Sequence, residues 1–202
     1  MTLNPLSTEA APRIDPAAVA FDIDGVVADT MRLFVDIVRE EFRHGDLRYE
    51  DITSYRLDEC LELDAQIRDA VIDQLIEGSH RRPLEPIPGA PEVIARLSRL
   101  AGPVLFVTAR PDARFIESWL HSVLPPSHNG IQVVATGDFD AKLEVLRRHE
   151  KAFFVEDRLE TCFTLNDGGI IPVVFRQPWN RQPHPFVEVG DWSELAALMA
   201  LP

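Results

Sequence analysis

The sequence predicts an α/β fold: a parallel sheet covered by helices on both faces, with a helical insert after the first strand. Three observations predict it. Five short apolar runs, at 18–23, 103–107, 131–135, 152–155 and 170–175, alternate with segments of helical period. Such alternation builds crossover units and hence a parallel sheet. The runs are apolar almost throughout, as strands buried on both faces are. Between the first run and the second, residues 30–88 break the alternation and read as helical up to a linker, where Pro83, Pro86, Pro88 and Gly89 cluster.

Taken in order, residues 1–16 hold Pro5, Pro12 and Pro16 and read as a tail. The first strand follows within 17–29. Asp29 or Thr30 stands where the next helix begins, and either can cap it. Met31, Phe34, Val35, Val38 and Phe42 recur at helical spacing until Gly45. Tyr49 to Leu63 is mixed, with short helical turns expected near Asp51 and Asp58. Ile67, Val71 and Leu75 give a clearer helix over 64–77, closed by Gly78. Past the linker, Val93, Ile94, Leu97 and Leu100 predict a helix that ends before Gly102. Asp112 is read as the cap of a helix bearing Phe115, Ile116 and Trp119, which Pro125-Pro126 breaks. Asp140 is read as the cap of another, carrying Leu143 and Leu146. Helices are also expected at 158–166 and at Ser193–Leu201.

Charge narrows the partners. A net charge of −13 repels a phosphate backbone, so nucleic acid polymers are not expected. A small anion can still be drawn in by a local metal and by Lys or Arg groups. Two cysteines make no disulfide framework. No run approaches the length of a membrane span, and residues 1–16 hold charges where a signal peptide would be apolar. The expectation is a cytoplasmic protein with no membrane partner.

Chemistry is expected at the carboxyl ends of the strands, where open α/β sheets bind their ligands. The first strand ends on Asp22 and Asp24, followed by Gly25. A solvated turn is the simplest reading of that triplet. A calcium loop is not: Gly25 falls at its fourth position, and Leu33 stands where its closing Glu belongs. The second strand leads to Thr108, Ala109 and Arg110, and the fourth to Glu156 and Asp157. Lys142 opens the helix before the fourth strand. Three such termini argue for one shared site. Two carboxylates at one strand end repel unless a cation or shared proton relieves them. Mg2+, a hard ion that takes oxygen ligands together with phosphate, suits the place. One carboxylate can attack phosphorus, and its neighbour two residues on can move a proton. Thr108 and Lys142 can hold the non-bridging oxygens.

These motifs, Asp22-Ile23-Asp24-Gly25-Val26-Val27, Val107-Thr108, Lys142 and Val155-Glu156-Asp157, resemble those of the haloacid dehalogenase superfamily of phosphohydrolases. The resemblance implies a Rossmann-like core at 17–29 and 89–202 with a helical cap at 30–88. It implies Asp22 as the nucleophile and Asp24 as the general acid/base. Asp22, the Asp24 carbonyl and Asp157 would hold Mg2+, with Glu156 acting through water. Thr108 and Lys142 would bind the phosphoryl group. Asp24 also favours phosphate esters, because the dehalogenases of this superfamily lack that second aspartate. Thr108-Ala109-Arg110-Pro111, Glu156-Asp157-Arg158 and Phe175-Arg176-Gln177-Pro178-Trp179-Asn180-Arg181 further resemble the 5′-nucleotidases, including the deoxyribonucleotidases. That implies a nucleotide as the small phosphorylated partner.

Several readings stay open here. Another phosphate ester such as a sugar phosphate, a phosphomutase, or a non-catalytic binder of such metabolites uses the same scaffold. Ala109 and Arg110 either line the phosphate, or Arg110 pairs with Glu156 or another acid. Phe34, Phe42, Tyr49 and Tyr55 are the aromatics available to stack on a base. Trp179-Asn180-Arg181 is either a rigid loop or part of the site's rim.

Overall fold

The computed structural model describes residues 13–126 and 128–201. Six strands form one sheet: β1 (Val19–Phe21), β2 (Val104–Thr108), β3 (Ile131–Ala135), β4 (Phe153–Glu156), β5 (Ile171–Phe175) and β6 (Val187–Val189). Their order is β3-β2-β1-β4-β5-β6, and every neighbouring pair is parallel. The order turns back between β1 and β4, which opens a crevice at their carboxyl ends. Phe21 is level with Phe106 on one side and Val155 on the other. The ends of β2, β1 and β4 therefore lie abreast.

Alternation along the strands divides the core. Val19 and Phe21 face one side, with Phe106, Val155 and Val173. On that side lie α4 (Ala90–Ala101), α5 (Arg114–Val123) and α8 (Trp192–Leu198), following α1 (Thr30–Glu41), α2 (Leu57–Cys60) and α3 (Ala65–Glu77) in the chain. Ala20 faces the other side, with Leu105 and Phe154, under α6 (Lys142–Arg148) and α7 (Leu159–Asp167). Trp192 anchors the larger half. Its ring stacks on Phe21 with centroids 5.4 Å apart, and its Nε1 donates to the Val26 carbonyl at 2.8 Å.

The insert holds α1, a one-turn 3-10 helix at Tyr49–Asp51, α2 and α3. It leaves and rejoins the core at one place: the Asp29 amide donates to Glu85 and the Ile87 amide to Val27. Arg82 pins the return segment to α1 through Asp36 at 2.7 Å and Glu40 at 2.9 Å. Gly78 ends α3 in the left-handed conformation (φ 71°). A side chain there would also run into the Phe115 ring.

Four expectations need correction. β6 was not foreseen, because three residues centred on Glu188 carry no apolar run. It is an edge strand, and Glu188 pairs outward with Arg176 and Arg181 as edges require. Asp29 precedes α1, but its carboxylate accepts no helix amide and takes the Arg32 side chain instead. Asp140 caps nothing, because α6 starts after Ala141 with no side-chain cap. Ile14, within the stretch read as a tail, is buried, and its amide donates to Leu198. Residues 1–12 of that stretch lie outside the described residues. Asp112 does accept the Arg114 amide, at 2.7 Å. Asp191 caps α8, which begins at Trp192.

Removing the Trp192 ring should cost ~3–5 kcal/mol, the usual range for a fully buried large aromatic. Urea unfolding of Trp192→Ala measures it, and an unchanged midpoint would refute this placement of the core.

Candidate active site

The site grows from three strand ends and one helix start. Asp22 follows β1, Thr108 closes β2, and Glu156 and Asp157 close β4. Lys142, first residue of α6, has no solvent exposure. Its Nζ lies 2.8 Å from Asp22 Oδ2 and 2.8 Å from Glu156 Oε2. Glu156 is fully engaged, since its Oε1 accepts the amides of Asp157 and Arg158. The Asp22 Oδ1 accepts the Ile23 amide at 2.8 Å. Asp157 is held from behind by Trp179, whose Nε1 donates to Oδ2 at 2.9 Å. Asn180 donates to the Asp157 carbonyl at 2.8 Å.

Gly25 makes this closeness possible. It sits at φ 73°, and a Cβ there would overlap the Asp157 carboxylate.

Asp24 points elsewhere. Arg110 meets it with two bonds, Nε to Oδ2 at 2.9 Å and Nη2 to Oδ1 at 2.8 Å. Thr30 donates its hydroxyl to Oδ1 at 2.5 Å. Of the two readings of Arg110, the structure therefore shows a pairing with an acid, and the acid is Asp24 rather than Glu156. Thr108 is buried, and its Oγ1 accepts the Arg110 amide at 3.2 Å. Ala109 lines the adjoining cavity.

Charge is unbalanced here. Burial and the neighbouring carboxylates push Asp22 and Asp157 well above the ordinary carboxyl range, against the pull of Lys142. Burial opposes the charge on Glu156 too, yet Lys142 holds that carboxyl below its usual value. The same two carboxylates raise Lys142 despite its burial. Burial is likewise outweighed at Asp24, which Arg110 and Thr30 hold low. Four carboxylates thus face two cations. Oxygens of Asp22, Glu156 and Asp157 all lie within 4.8 Å of one another. Three hard oxygen donors short of positive charge form a set suited to a divalent cation.

Comparison with known proteins agrees with this geometry. Residues 16–201 match the family model described as "5' nucleotidase, deoxy (Pyrimidine), cytosolic type C protein". The chain belongs to this 5′-nucleotidase family. It is thus a hydrolase of the haloacid dehalogenase superfamily. "Putative nucleotidase BH1399" of Halalkalibacterium halodurans is 27% identical over 181 residues, covering 87% of this chain and 89% of the relative. Two solved structures show the same fold at 14% identity. A "putative phosphoglycolate phosphatase" from Lactobacillus delbrueckii subsp. bulgaricus has a TM-score of 0.61, over 92% of this chain and 99% of that one. A "Putative haloacid dehalogenase-like hydrolase" from Bacteroides fragilis has 0.59, over 89% and 99%.

Above the nucleotidase's strand ends lies a cavity of about 470 Å³, within the usual range for small-molecule sites. Its floor is polar: Asp22, Asp24, Thr108 and Asp157. Its upper wall, from the insert, carries Met31, Ile52, Leu57, Ile72 and Ile76, with Ser54, Asp58 and Arg68 as polar members. Of the four aromatics singled out in the sequence, Tyr55 alone lines it; Phe34 is fully buried core. The Tyr55 ring meets Phe139 edge-on at 5.8 Å, and the Arg158 guanidinium lies over both rings. Tyr49 instead hydrogen-bonds the Gln177 side chain at 2.6 Å, which in turn donates to the Gly25 carbonyl at 2.6 Å.

Sequence reasoning missed Thr30, Phe139 and Gln177 as parts of the site. For Trp179-Asn180-Arg181 the sequence offers a rigid loop or part of the rim; Trp179 and Asn180 hold Asp157, and Trp179 also lines the cavity.

Replacing Lys142 by Met should lower stability by about 3 kcal/mol at neutral pH, because Asp22 and Glu156 lose their common partner while staying buried. Chemical denaturation tests this; an unaltered unfolding free energy would mean that the two carboxylates were not held by that charge.

Proposed function

We propose that this nucleotidase-family chain is a Mg2+-dependent phosphomonoesterase of 5′-nucleotides that works through an aspartyl phosphate. The single observation that carries the reading is the convergence on Asp22: a buried lysine on one side, Glu156 and Asp157 beside it, Thr108 on the next strand, and an open cavity above.

The roles follow from position. Thr108 and Lys142 bind and orient the phosphoryl group against Asp22. The Asp22 carboxylate attacks phosphorus, and the P–O bond to the alcohol breaks as the new P–O bond forms. Asp24 protonates the departing oxygen, then takes a proton from the water that attacks the acyl phosphate. Inorganic phosphate leaves and Asp22 is restored. Asp22, Asp157 and the Asp24 carbonyl would hold Mg2+, with Glu156 acting through water. The ion would offset the negative charge that otherwise keeps a phosphate dianion from an aspartate. Ala109 lines the phosphate's approach.

Residues 30–88 are taken as the cap and 17–29 with 89–202 as the core. The cap wall favours a nucleobase over a sugar. An apolar surface bearing Tyr55 welcomes a flat, weakly solvated ring. Ser54, Asp58 and Arg68 on the same wall offer partners to the nucleotide's sugar and to the polar edge of its base. The family's description as cytosolic supports a cytoplasmic location, and no helix among the described residues is long and apolar enough to cross a membrane.

Four measurements test this. Asp22→Asn should keep the fold by circular dichroism and lose turnover of every phosphate ester; residual turnover at the original rate would eliminate Asp22 as nucleophile. A chelator should abolish activity and Mg2+ restore it. Trp179→Phe should loosen Mg2+ binding by roughly tenfold or more in titration calorimetry, because it removes the group that orients Asp157. A panel of nucleoside monophosphates and sugar phosphates should show the highest kcat/KM for a nucleotide; preference for a sugar phosphate would overturn the substrate assignment.

A further inference from the structure

Arg110 does more than pair with Asp24. Its remaining nitrogen, Nη1, donates to the carbonyls of Leu75 at 2.7 Å and Ile76 at 3.2 Å. These are among the last carbonyls of α3, which the helix itself leaves unsatisfied. One rigid, planar guanidinium thus spans the core acid and the end of a cap helix. The side chain is 5% exposed, and the Phe115 ring lies 5.8 Å from its centre. Phe115 also fits against Gly78, the residue that terminates α3. The arrangement is therefore built from both sides.

Occupancy on Asp24 matters as well. A carboxylate offers about four lone-pair sites. Arg110 and Thr30 take three, two of them on Oδ1. The site left is on Oδ2, so these two residues determine which lone pair the carboxylate turns to the cavity. Asp24 nevertheless keeps 30% of its side chain open to the cavity.

We propose that Arg110 is a positioning residue rather than a phosphate ligand: it holds the Asp24 carboxylate turned toward the reacting oxygens only while α3 of the cap is seated. The inference rests on the phosphomonoesterase reading above. If α3 withdraws, Nη1 loses both carbonyls, and the cation that orients Asp24 is left half-bonded. Cap seating and acid placement are then coupled, and the coupling acts in both directions.

The test compares leaving groups. An alkoxide must be protonated as it departs, whereas 4-nitrophenolate leaves without a proton. Arg110→Lys and Arg110→Gln are assayed with a nucleoside 5′-monophosphate, or with β-glycerol phosphate should no nucleotide react, and with 4-nitrophenyl phosphate. Lysine keeps the charge but cannot make the forked contact, which guards against a simple folding defect. Loss of kcat on the alkyl ester is expected on the order of 10²-fold, the scale of general acid catalysis. The loss on the aryl ester should be smaller, because only the attack of water, common to both esters, still calls on Asp24. Inhibition by inorganic phosphate should hold, and amides near the end of α3 should exchange hydrogen faster. Equal losses on both esters with weaker phosphate inhibition would overturn the proposal, making Arg110 a phosphate ligand. Unaltered exchange in α3 would overturn the coupling to the cap. Failure of the unaltered enzyme on every ester would instead sink the phosphatase reading and this inference with it.

Discussion

The structure depends on one lysine ammonium buried between two carboxylates. A parallel sheet whose strands end abreast brings the first polar residue after each strand into the same small volume. Here that residue is acidic after both β1 and β4. Left alone, Asp22 and Glu156 would repel and lose hydration together. Lys142 lies 2.8 Å from each, which lets the two strands sit side by side with charged ends. The pairing is a compromise in stability terms, since apolar residues would pack there at lower electrostatic cost. What the apolar alternative lacks is a carboxylate held in place at the floor of the cavity.

Around that centre, positioning is done by residues that touch the acids from behind. Trp179 and Asn180 hold Asp157. Gln177, one turn earlier, holds the Gly25 carbonyl and receives Tyr49 from the insert. Thr30, the first residue of α1, holds Asp24. The insert thus meets the core over the site at two joints, one through Tyr49 to Gln177 of the loop after β5, the other through α3 to Arg110 after β2. An insert tied at both joints cannot shift without disturbing an acid or the loop beside it.

The legible part of this was whatever follows from local pattern. Continuous apolar runs marked five strands, and the acids after two of them stood out because a buried strand has no use for charge at its end. Thr108 and Lys142 were found by asking what lies at the same edge of the sheet. The rest depends on chain segments far apart. Arg110 could meet phosphate, Glu156 or Asp24 with equal right until the 86-residue separation to Asp24 was closed by the fold. β6 is three residues long, and only its neighbour β5 makes it a strand. Asp29 and Asp140 have the chemistry of helix caps, yet Arg32 claims the first, and Asp140 lies outside the turn that starts α6. Capping propensity describes what a residue can do, and a competing partner decides what it does.

The cavity divides its labour by origin. The sheet contributes carboxylates, a hydroxyl and the lysine, all fixed by backbone that cannot move without breaking strand pairing. The insert contributes mostly methyls and methylenes, whose attraction for a ligand has little directional demand, with Tyr55, Ser54, Asp58 and Arg68 among them. Chemistry needs sub-ångström placement, while recognition of an apolar ring tolerates looser contact. Placing the first on the sheet and the second on a helical insert lets the wall differ between relatives while the floor stays the same. The division is incomplete at one point, because α3 also reaches Asp24 through Arg110. A change in the wall that displaced the end of α3 would therefore alter how Asp24 is held, so the insert cannot be varied wholly independently of the acids beneath it.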